Sequence, residues 1–246
     1  MAEHHHHSPL AQFQVHPLAE FHWRGLDLSF TNSALFMVIA VTAIALFLTL
    51  ATRKAATVPS RWQLVAEMGY EFVANMLRDN VGKDGMKYFP FVFSLFMFVL
   101  ITNLLGMMPY GFTVTSHISI TFALALVTFL GITAIGFLKH GLHFLGFFLP
   151  KGTPLWMAPL MIFIELFAYL ARPVSLSIRL AANMMAGHTM LKIIAGFVIM
   201  MGFLGGWLPL AFLVALTGFE IFVAVLQAYI FAVLICVYLN DAVHMH

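Results

Sequence analysis

Residues 170–203, LARPVSLSIRLAANMMAGHTMLKIIAGFVIMMGF, decide the fold class of this chain. Apolar side chains fill most of the stretch, which is longer than the ~20 residues that a helix needs to cross a ~30 Å hydrocarbon core. The polar residues that interrupt it are Arg172, Arg179, Asn183, His188 and Lys192. Arginine stays protonated in proteins, and placing it at bilayer depth costs at least about 2.5–3.5 kcal/mol. The stretch therefore predicts a membrane helix whose arginines mark an ion or substrate pathway.

The composition of the whole chain indicates the same class. Its 246 residues are 62% hydrophobic and 9% charged, and the formal net charge is +2. This composition excludes an ordinary soluble domain, and the small net charge gives no indication of nucleic-acid binding. The single cysteine, Cys236, excludes a disulfide framework and a cysteine metal site. We predict an all-α integral membrane protein with no metal or cofactor site.

Hydrophobic segments predict five membrane-crossing helices in a single membrane domain. In chain order they cover residues 33–51, 88–108, 119–138 and a helical hairpin at 155–239, which turns near 202–209. Each hairpin helix is longer than one perpendicular crossing, so we expect the hairpin to tilt strongly or to kink.

A polar segment at residues 52–88 holds half of all the lysines and arginines. Within it, residues 60–80 predict an amphipathic helix along the membrane interface, with Ser60 and Gln63 in a capping-box pattern. A soluble amphipathic hairpin packed on another protein is the alternative. Under the positive-inside rule this segment is cytoplasmic, which places the N-terminal residues 1–32 in the periplasm and the C-terminus in the cytoplasm.

Polar residues of the two hairpin helices match each other in depth. The first helix carries a polar arc made of Glu165, Arg172, Arg179 and Asn183, flanked by Ser175, Ala182 and Ala186. The last helix carries an arc made of Glu220, Gln227 and Tyr238. An antiparallel register pairs Arg179 with Gln227, His188 with Glu220 and Glu165 with Asp241. This matching predicts a polar seam suited to protons, because histidine exchanges protons near neutrality and an adjacent carboxylate can share them.

Alternatives stay open for individual residues. We expect Arg172, near the cytoplasmic side, merely to snorkel to the interface. Glu165 either pairs with Arg172 or lines an exit path, and the two interpretations are compatible. A lone His188 is more often a core histidine than a functional one, but its depth match with Glu220 favours the functional interpretation. His117 falls in a short outer connection, where it is a candidate for a channel mouth.

Three motifs resemble subunit a of the membrane sector of rotary F-type ATP synthases. They are PVSLSIRLAANMMAGH at residues 173–188, LQAYIFAVLICVYL at 226–239 and NLLGMMP at 103–109. The resemblance covers most of residues 35–241. The placement of His188 and Glu220 is similar to that of alphaproteobacterial and mitochondrial members, whereas many other bacterial members have the acid and the histidine exchanged.

The resemblance implies that Arg179 is the stator arginine that faces the essential carboxylate of a ring of c subunits. The residues implied to line the half-channel from the periplasm are Asn183, His188, Glu220 and Gln227. Glu165 is implied to help line the exit to the cytoplasm, and candidate supporting residues are Arg172, Ser175 and Tyr238. Ion flow through such a chain turns the ring and drives ATP synthesis in a separate catalytic head, so the chain is no enzyme by itself.

The resemblance also implies the partners and the location of the chain. Besides the ring, the implied partners are b-type peripheral-stalk subunits, the remainder of the ATP synthase and membrane lipid. The implied location is the bacterial inner membrane. We favour protons over sodium as the coupling ion, because the seam is rich in histidine and glutamate and shows no evident cage of oxygen ligands.

Two other classes of function stay open. One is an ion-coupled secondary transporter in which Arg179 binds an anionic substrate near the midplane, although the sequence shows no evident internal repeat. The other is a membrane enzyme or electron carrier with histidine ligands. Haem ligation fits poorly, because it calls for paired intramembrane histidines and only His188 is clearly within an apolar segment.

Overall fold

The computed structural model describes residues 15, 17–19, 22–23, 26–27, 29–53, 56, 58–108, 111, 113–148 and 156–244. A histidine run at residues 4–7, to which we assign no function, lies outside the described residues, as does residue 155, where the predicted hairpin begins.

Helices dominate the described chain. The α-helices are α1 Asn32–Thr52, α2 Arg61–Val81, α3 Phe89–Gly106, α4 Ile118–His140, α5 Ala158–Gly205 and α6 Trp207–Val243. Short 3-10 helices cover Lys83–Tyr88, Val114–Ser116 and Gly141–Phe148. Four strands precede α1: β1 Pro17–Ala19, β2 His22–Trp23, β3 Leu26–Asp27 and β4 Phe30–Thr31. They pair antiparallel as β1 with β4 and β2 with β3, and the sequence did not predict them because strands of two or three residues show no alternation.

Five helices of the described chain are long and apolar enough to cross a membrane. Their spans are Asn32–Thr52, Lys83–Gly106, Ile118–His140, Ala158–Gly202 and Trp207–Val243. The last two contain 45 and 37 residues, well above the ~20 of a single perpendicular crossing. The predicted all-α membrane fold, with five crossing helices and one additional amphipathic helix, is confirmed.

Helix α2 begins at a capped N-terminus and exposes its apolar face. The Ser60 hydroxyl accepts a hydrogen bond from the Gln63 backbone N–H at 3.3 Å, as in the first half of a capping box. The Gln63 side chain does not return this bond to Ser60; its amide donates to the Ala56 carbonyl instead. Gln63 is buried, whereas the apolar residues Val65 and Met68 are more than half exposed. A helix with this distribution suits an interface between water and lipid.

The break between α5 and α6 depends on glycine. Gly202 has φ +61°, a conformation that residues with a side chain rarely adopt. A Cβ atom at Gly206 would lie 2.7 Å from the Gly202 carbonyl oxygen, so the turn also requires a close backbone approach there. The break therefore falls inside the glycine-rich stretch of the sequence.

Contacts group the chain into two units. The first unit comprises Met1–Phe47, Phe98–His117 and Leu180–Gln227, and the second comprises Leu48–Met97, Ile118–Arg179 and Ala228–His246. The first unit contains the part of α5 and α6 nearest the glycine break, where Met184 and Ala224 are buried. The second unit buries Leu77, Phe231 and Ile235 among its largest core side chains.

Candidate functional site

Two polar pairs join α5 to α6 within the first unit. The Asn183 amide donates to Gln227 Oε1 at 2.8 Å, and His188 Nδ1 lies 3.4 Å from Glu220 Oε1. His188, Glu220 and Gln227 are 8%, 5% and 2% exposed, so three of the four residues are buried at membrane depth. We call these two contacts the interior pairs. The two helices run in opposite directions from the glycine break. The two members of each pair lie at nearly the same distance from that break along the chain, so the helices bring them together.

The interior pairs leave polar atoms with no hydrogen-bond partner among the described residues. These atoms are His188 Nε2, the two Glu220 carboxyl oxygens and Gln227 Nε2, and all of them are buried. Buried polar groups in folded proteins are nearly always satisfied by protein or by ordered water. The interior pairs therefore provide donors and acceptors that suit a short chain of water molecules.

Gly187 makes room for the Glu220 carboxylate. A Cβ atom at position 187 would lie only 2.6 Å from Glu220 Oε1 and 3.0 Å from its carboxyl carbon. Any side chain there would push the carboxylate away from His188. The sequence analysis did not single out Gly187, and its position directly before His188 was the available signal.

Arg179 lies on an exposed face of α5. Ser175, Arg179, Ala182, Asn183 and Ala186 are all exposed and share one side of the helix, and we call this surface the arginine face. Within the described residues Arg179 forms no hydrogen bond or ion pair. In the most apolar stretch of α5 only 6% of the residues are buried inside the chain, against 39% in that of α6. The chain thus presents a charged guanidinium, flanked by small residues, on a surface at membrane depth.

Arg172, two turns earlier on α5, has partners inside the chain. Its Nη1 lies 3.1 Å from Asp241 Oδ2, and its guanidinium carbon lies 5.2 Å and 4.8 Å from the ring centroids of Tyr169 and Tyr238. The Tyr169 hydroxyl shares a 2.7 Å hydrogen bond with the Thr133 hydroxyl of α4. We call this cluster the Arg172 cage. The expectation that Arg172 merely snorkels is wrong, because an ion pair and two aromatic rings hold it.

The Arg172 cage decides one of the alternatives for Glu165. Asp241, which the sequence places level with Glu165, forms an ion pair with Arg172. Glu165 is half-buried and forms no ion pair within the described residues, so it does not pair with Arg172 either. In the first unit, the hydrogen-bond partner of Gln227 on α5 is Asn183. A residue count assumes straight helices and short side chains, whereas a long arginine side chain reaches a counter-charge a turn or more away.

The sequence analysis did not assign Asn103, near the end of α3, to the site. Asn103 is fully buried and bonds both α6 and Thr115.

His117 is half-buried directly before α4, where burial lowers its pKa because the charged imidazolium loses hydration. In the part of the chain that the structure describes, no group of three histidine, cysteine, aspartate or glutamate residues is arranged to hold a metal ion.

Comparison with known proteins provides an independent line of information. A family model described as "ATP synthase A chain" matches residues 34–240. Two curated relatives, both named ATP synthase subunit a and both from Rhodospirillum rubrum, one of them from strain ATCC 11170, are each 55% identical over 240 residues. The alignment covers 98% of this chain and 100% of each relative.

Proposed function

Since this chain belongs to the ATP synthase A chain family, it is a subunit of the proton-channel part of ATP synthase, and we propose that it supplies the stator arginine and two offset half-channels of that machine. Proton flow through the half-channels turns a ring of c subunits and so drives ATP synthesis in the catalytic head. The chain itself carries out no ATP chemistry in this proposal. Its further partners are b-type peripheral-stalk subunits and membrane lipid.

One observation carries the proposal: Arg179 is exposed at membrane depth without a counter-charge in the described chain. A guanidinium cannot become neutral, so it requires a polar partner there. The small neighbours Ser175, Ala182 and Ala186 allow another helix to approach closely. A ring of helices, each bearing one carboxylate, satisfies both requirements. Arg179 keeps the facing carboxylate ionised and separates the two half-channels, because a fixed cation repels a passing proton.

The interior pairs constitute the proposed half-channel on the periplasmic side. Asn183, His188, Glu220 and Gln227 line it, and their buried unsatisfied atoms bind the water that relays protons. His188 and Glu220 exchange protons with that water, and Asn183 and Gln227 orient it. These groups favour protons over sodium, since a sodium site needs several converging oxygen ligands.

The inner end of the hairpin provides the proposed exit. Glu165 forms no ion pair in the described residues and is therefore available to accept a proton from the ring carboxylate. Arg172 and Tyr238 act as supporting residues, because the Arg172 cage ties the end of α6 to α5. We place this end at the cytoplasmic face of the bacterial inner membrane, with residues 1–32 in the periplasm and α2 along the cytoplasmic interface.

Crosslinking of the arginine face to the ring tests the proposal. Single cysteines replace Ser175, Ala182 or Ala186 in a Cys236→Ser background, and each is labelled with a short photoactivated thiol crosslinker in native membranes. Matched controls place the cysteine at Val174 or Met185, which are also exposed but lie on a different side of α5. We expect adducts with a c subunit from the three arginine-face positions and none from the two controls. A chain that purifies without any ring subunit and forms no adduct would overturn the proposal that the arginine face meets the ring.

A further inference from the structure

A buried polar cluster at the end of α3 bonds the α6 turn that carries Glu220 and Gln227. Asn103 is 0% exposed, and its amide nitrogen donates to the Ala224 carbonyl oxygen at 3.2 Å. Its amide oxygen accepts a hydrogen bond from the Thr115 hydroxyl at 2.8 Å. Thr115 is 2% exposed, so no bulk water competes for either bond. All of these residues belong to the first unit.

The acceptor lies at a sensitive position on α6. Ala224 follows Glu220 by one helical turn and precedes Gln227 by three residues. Its carbonyl oxygen has two lone pairs, and a helical carbonyl uses only one of them for the bond to its own helix. Asn103 uses the other, which ties α6 to α3 between the two residues that line the proposed path. A bond to the backbone fixes the helix itself rather than a single side chain.

The segment that bears Thr115 is itself held against α3. The Ser116 hydroxyl donates to the Thr113 carbonyl at 2.7 Å, which closes the short 3-10 helix Val114–Ser116. At the other end, a Cβ atom at Gly106 would lie 2.9 Å from Thr113 Cγ2, so this segment packs directly on the last turn of α3. Thr115 therefore meets Asn103 from a fixed support, and the two residues form a strut between α3 and α6.

The fit around Glu220 makes such a strut consequential. A Cβ atom at position 187 would lie 2.6 Å from Glu220 Oε1, and the same oxygen lies 3.4 Å from His188 Nδ1. A shift of this α6 turn by a few tenths of an ångström either crowds the carboxylate against α5 or lengthens its distance to the imidazole. Proton relays lose rate steeply when donor and acceptor are misplaced.

We propose that Asn103 and Thr115 are positioning residues for proton transfer, which hold the Glu220–Gln227 turn of α6 at its working distance from His188. They act through the Ala224 carbonyl and do not themselves carry the proton. This inference rests on the proposed function of the interior pairs. It adds to that function a structural requirement contributed by a helix outside the hairpin.

Thr115→Val in the assembled complex tests the strut, since valine keeps the shape of threonine and removes the hydroxyl. We expect ATP-driven proton pumping per assembled complex to fall by about tenfold, and the pH profile of passive proton conductance to shift. Thr115→Ser retains the hydroxyl and should keep pumping within about twofold of the parent. The matched control is Thr102→Val on α3, because among the described residues the buried Thr102 hydroxyl bonds only carbonyls of its own helix.

A second variant separates positioning from the cost of an unsatisfied amide. Asn103→Leu combined with Thr115→Val removes both polar partners, so it leaves no orphaned group between them. Assembled complex in parental amounts with reduced pumping and a shifted pH profile would support the strut. Parental pumping in this double variant, or equal losses in Thr115→Val and Thr102→Val, would overturn it.

Glu220→Gln tests the proposed half-channel separately from the strut. If Glu220→Gln blocks conductance while Thr115→Val behaves as the parent, the strut is wrong and the half-channel stands. If Glu220→Gln conducts protons as the parent does, the proposed half-channel itself is wrong.

Discussion

Arg172 and Arg179 lie seven residues apart on one helix, and among the described residues only Arg172 has an acidic partner. Arg172 has an acidic partner 3.1 Å away and two tyrosine rings against its guanidinium. Arg179 is exposed and forms no ion pair in the described residues. A charge at membrane depth needs compensation in either case. Where the compensation comes from inside the chain, the arginine holds the fold together; where it must come from outside, the arginine marks an interface.

The largest effect on proton pumping is expected for Arg179→Ala. We expect ATP-driven proton pumping in membrane vesicles to fall by at least about a hundredfold, because the change removes the charge that we propose separates the half-channels. The complex should still assemble, since Arg179 forms no hydrogen bond or ion pair within the described chain. Passive proton conductance should persist or rise. Coupled pumping at parental rates would refute the central role of Arg179.

Exchanging His188 and Glu220 is the next largest test, because these two residues compensate each other inside the chain. Each single change, His188→Glu or Glu220→His, places two like groups 3.4 Å apart and should reduce pumping by roughly tenfold. The double exchange restores one acid and one imidazole at the same depth. We therefore expect it to recover most of the activity in the same vesicle assay.

Additive losses in the double exchange would contradict the pairing. The control is the same exchange measured in an Arg179→Ala background, where coupled pumping should be absent whichever pair is present. Passive conductance in that background still reports whether the exchanged pair relays protons.

Some of these features could be predicted from the sequence and others could not, for physical reasons. The five spans were predictable because a hydrocarbon core admits only long apolar helices. The contact between His188 and Glu220 was predictable because the register is counted from a nearby glycine break, over which little error accumulates. Arg172 and Asp241 lie far from that break, and there the residue count did not predict their ion pair.

Other features leave no trace in a one-dimensional pattern. The bond from Asn103 to Ala224 joins residues 121 positions apart, and no periodicity relates them. The space at Gly187 depends on where the Glu220 side chain lies, which the sequence does not specify. The partners of Arg172 likewise follow from side-chain reach. The motif identified both arginines as notable, but only coordinates show that one is compensated within the chain.

A double-mutant cycle on the free energy of unfolding compares Arg172 with Arg179, and a smaller effect is expected there. Arg172→Gln should lower the free energy of unfolding by about 1–3 kcal/mol, because it leaves the half-buried Asp241 carboxylate without its cation. Combined with Asp241→Asn, the loss should be less than additive by about 0.5 kcal/mol or more. The matched cycle of Arg179→Gln with Asp241→Asn should be additive. Unfolding of the purified chain by SDS titration in mixed micelles provides the measurement.

Activity completes that comparison. Pumping by Arg172→Gln should fall only about threefold, since we propose that Arg172 supports the exit and leaves contact with the ring to Arg179. Losses as large as those of Arg179→Gln would mean that Arg172 takes part in proton transfer directly.

The smallest expected effect concerns the tyrosine rings of the Arg172 cage. Tyr238→Leu removes the ring that lies 4.8 Å from the guanidinium, and should lower the free energy of unfolding by about 0.5–1 kcal/mol beyond the loss of apolar area. Tyr238→Phe keeps an aromatic face and should retain most of the stability. In an Arg172→Gln background the two Tyr238 variants should differ less, because no cation remains for the ring to attract. If leucine and phenylalanine differ equally in both backgrounds, Tyr238 contributes packing alone, and Asp241 is the principal compensation of Arg172.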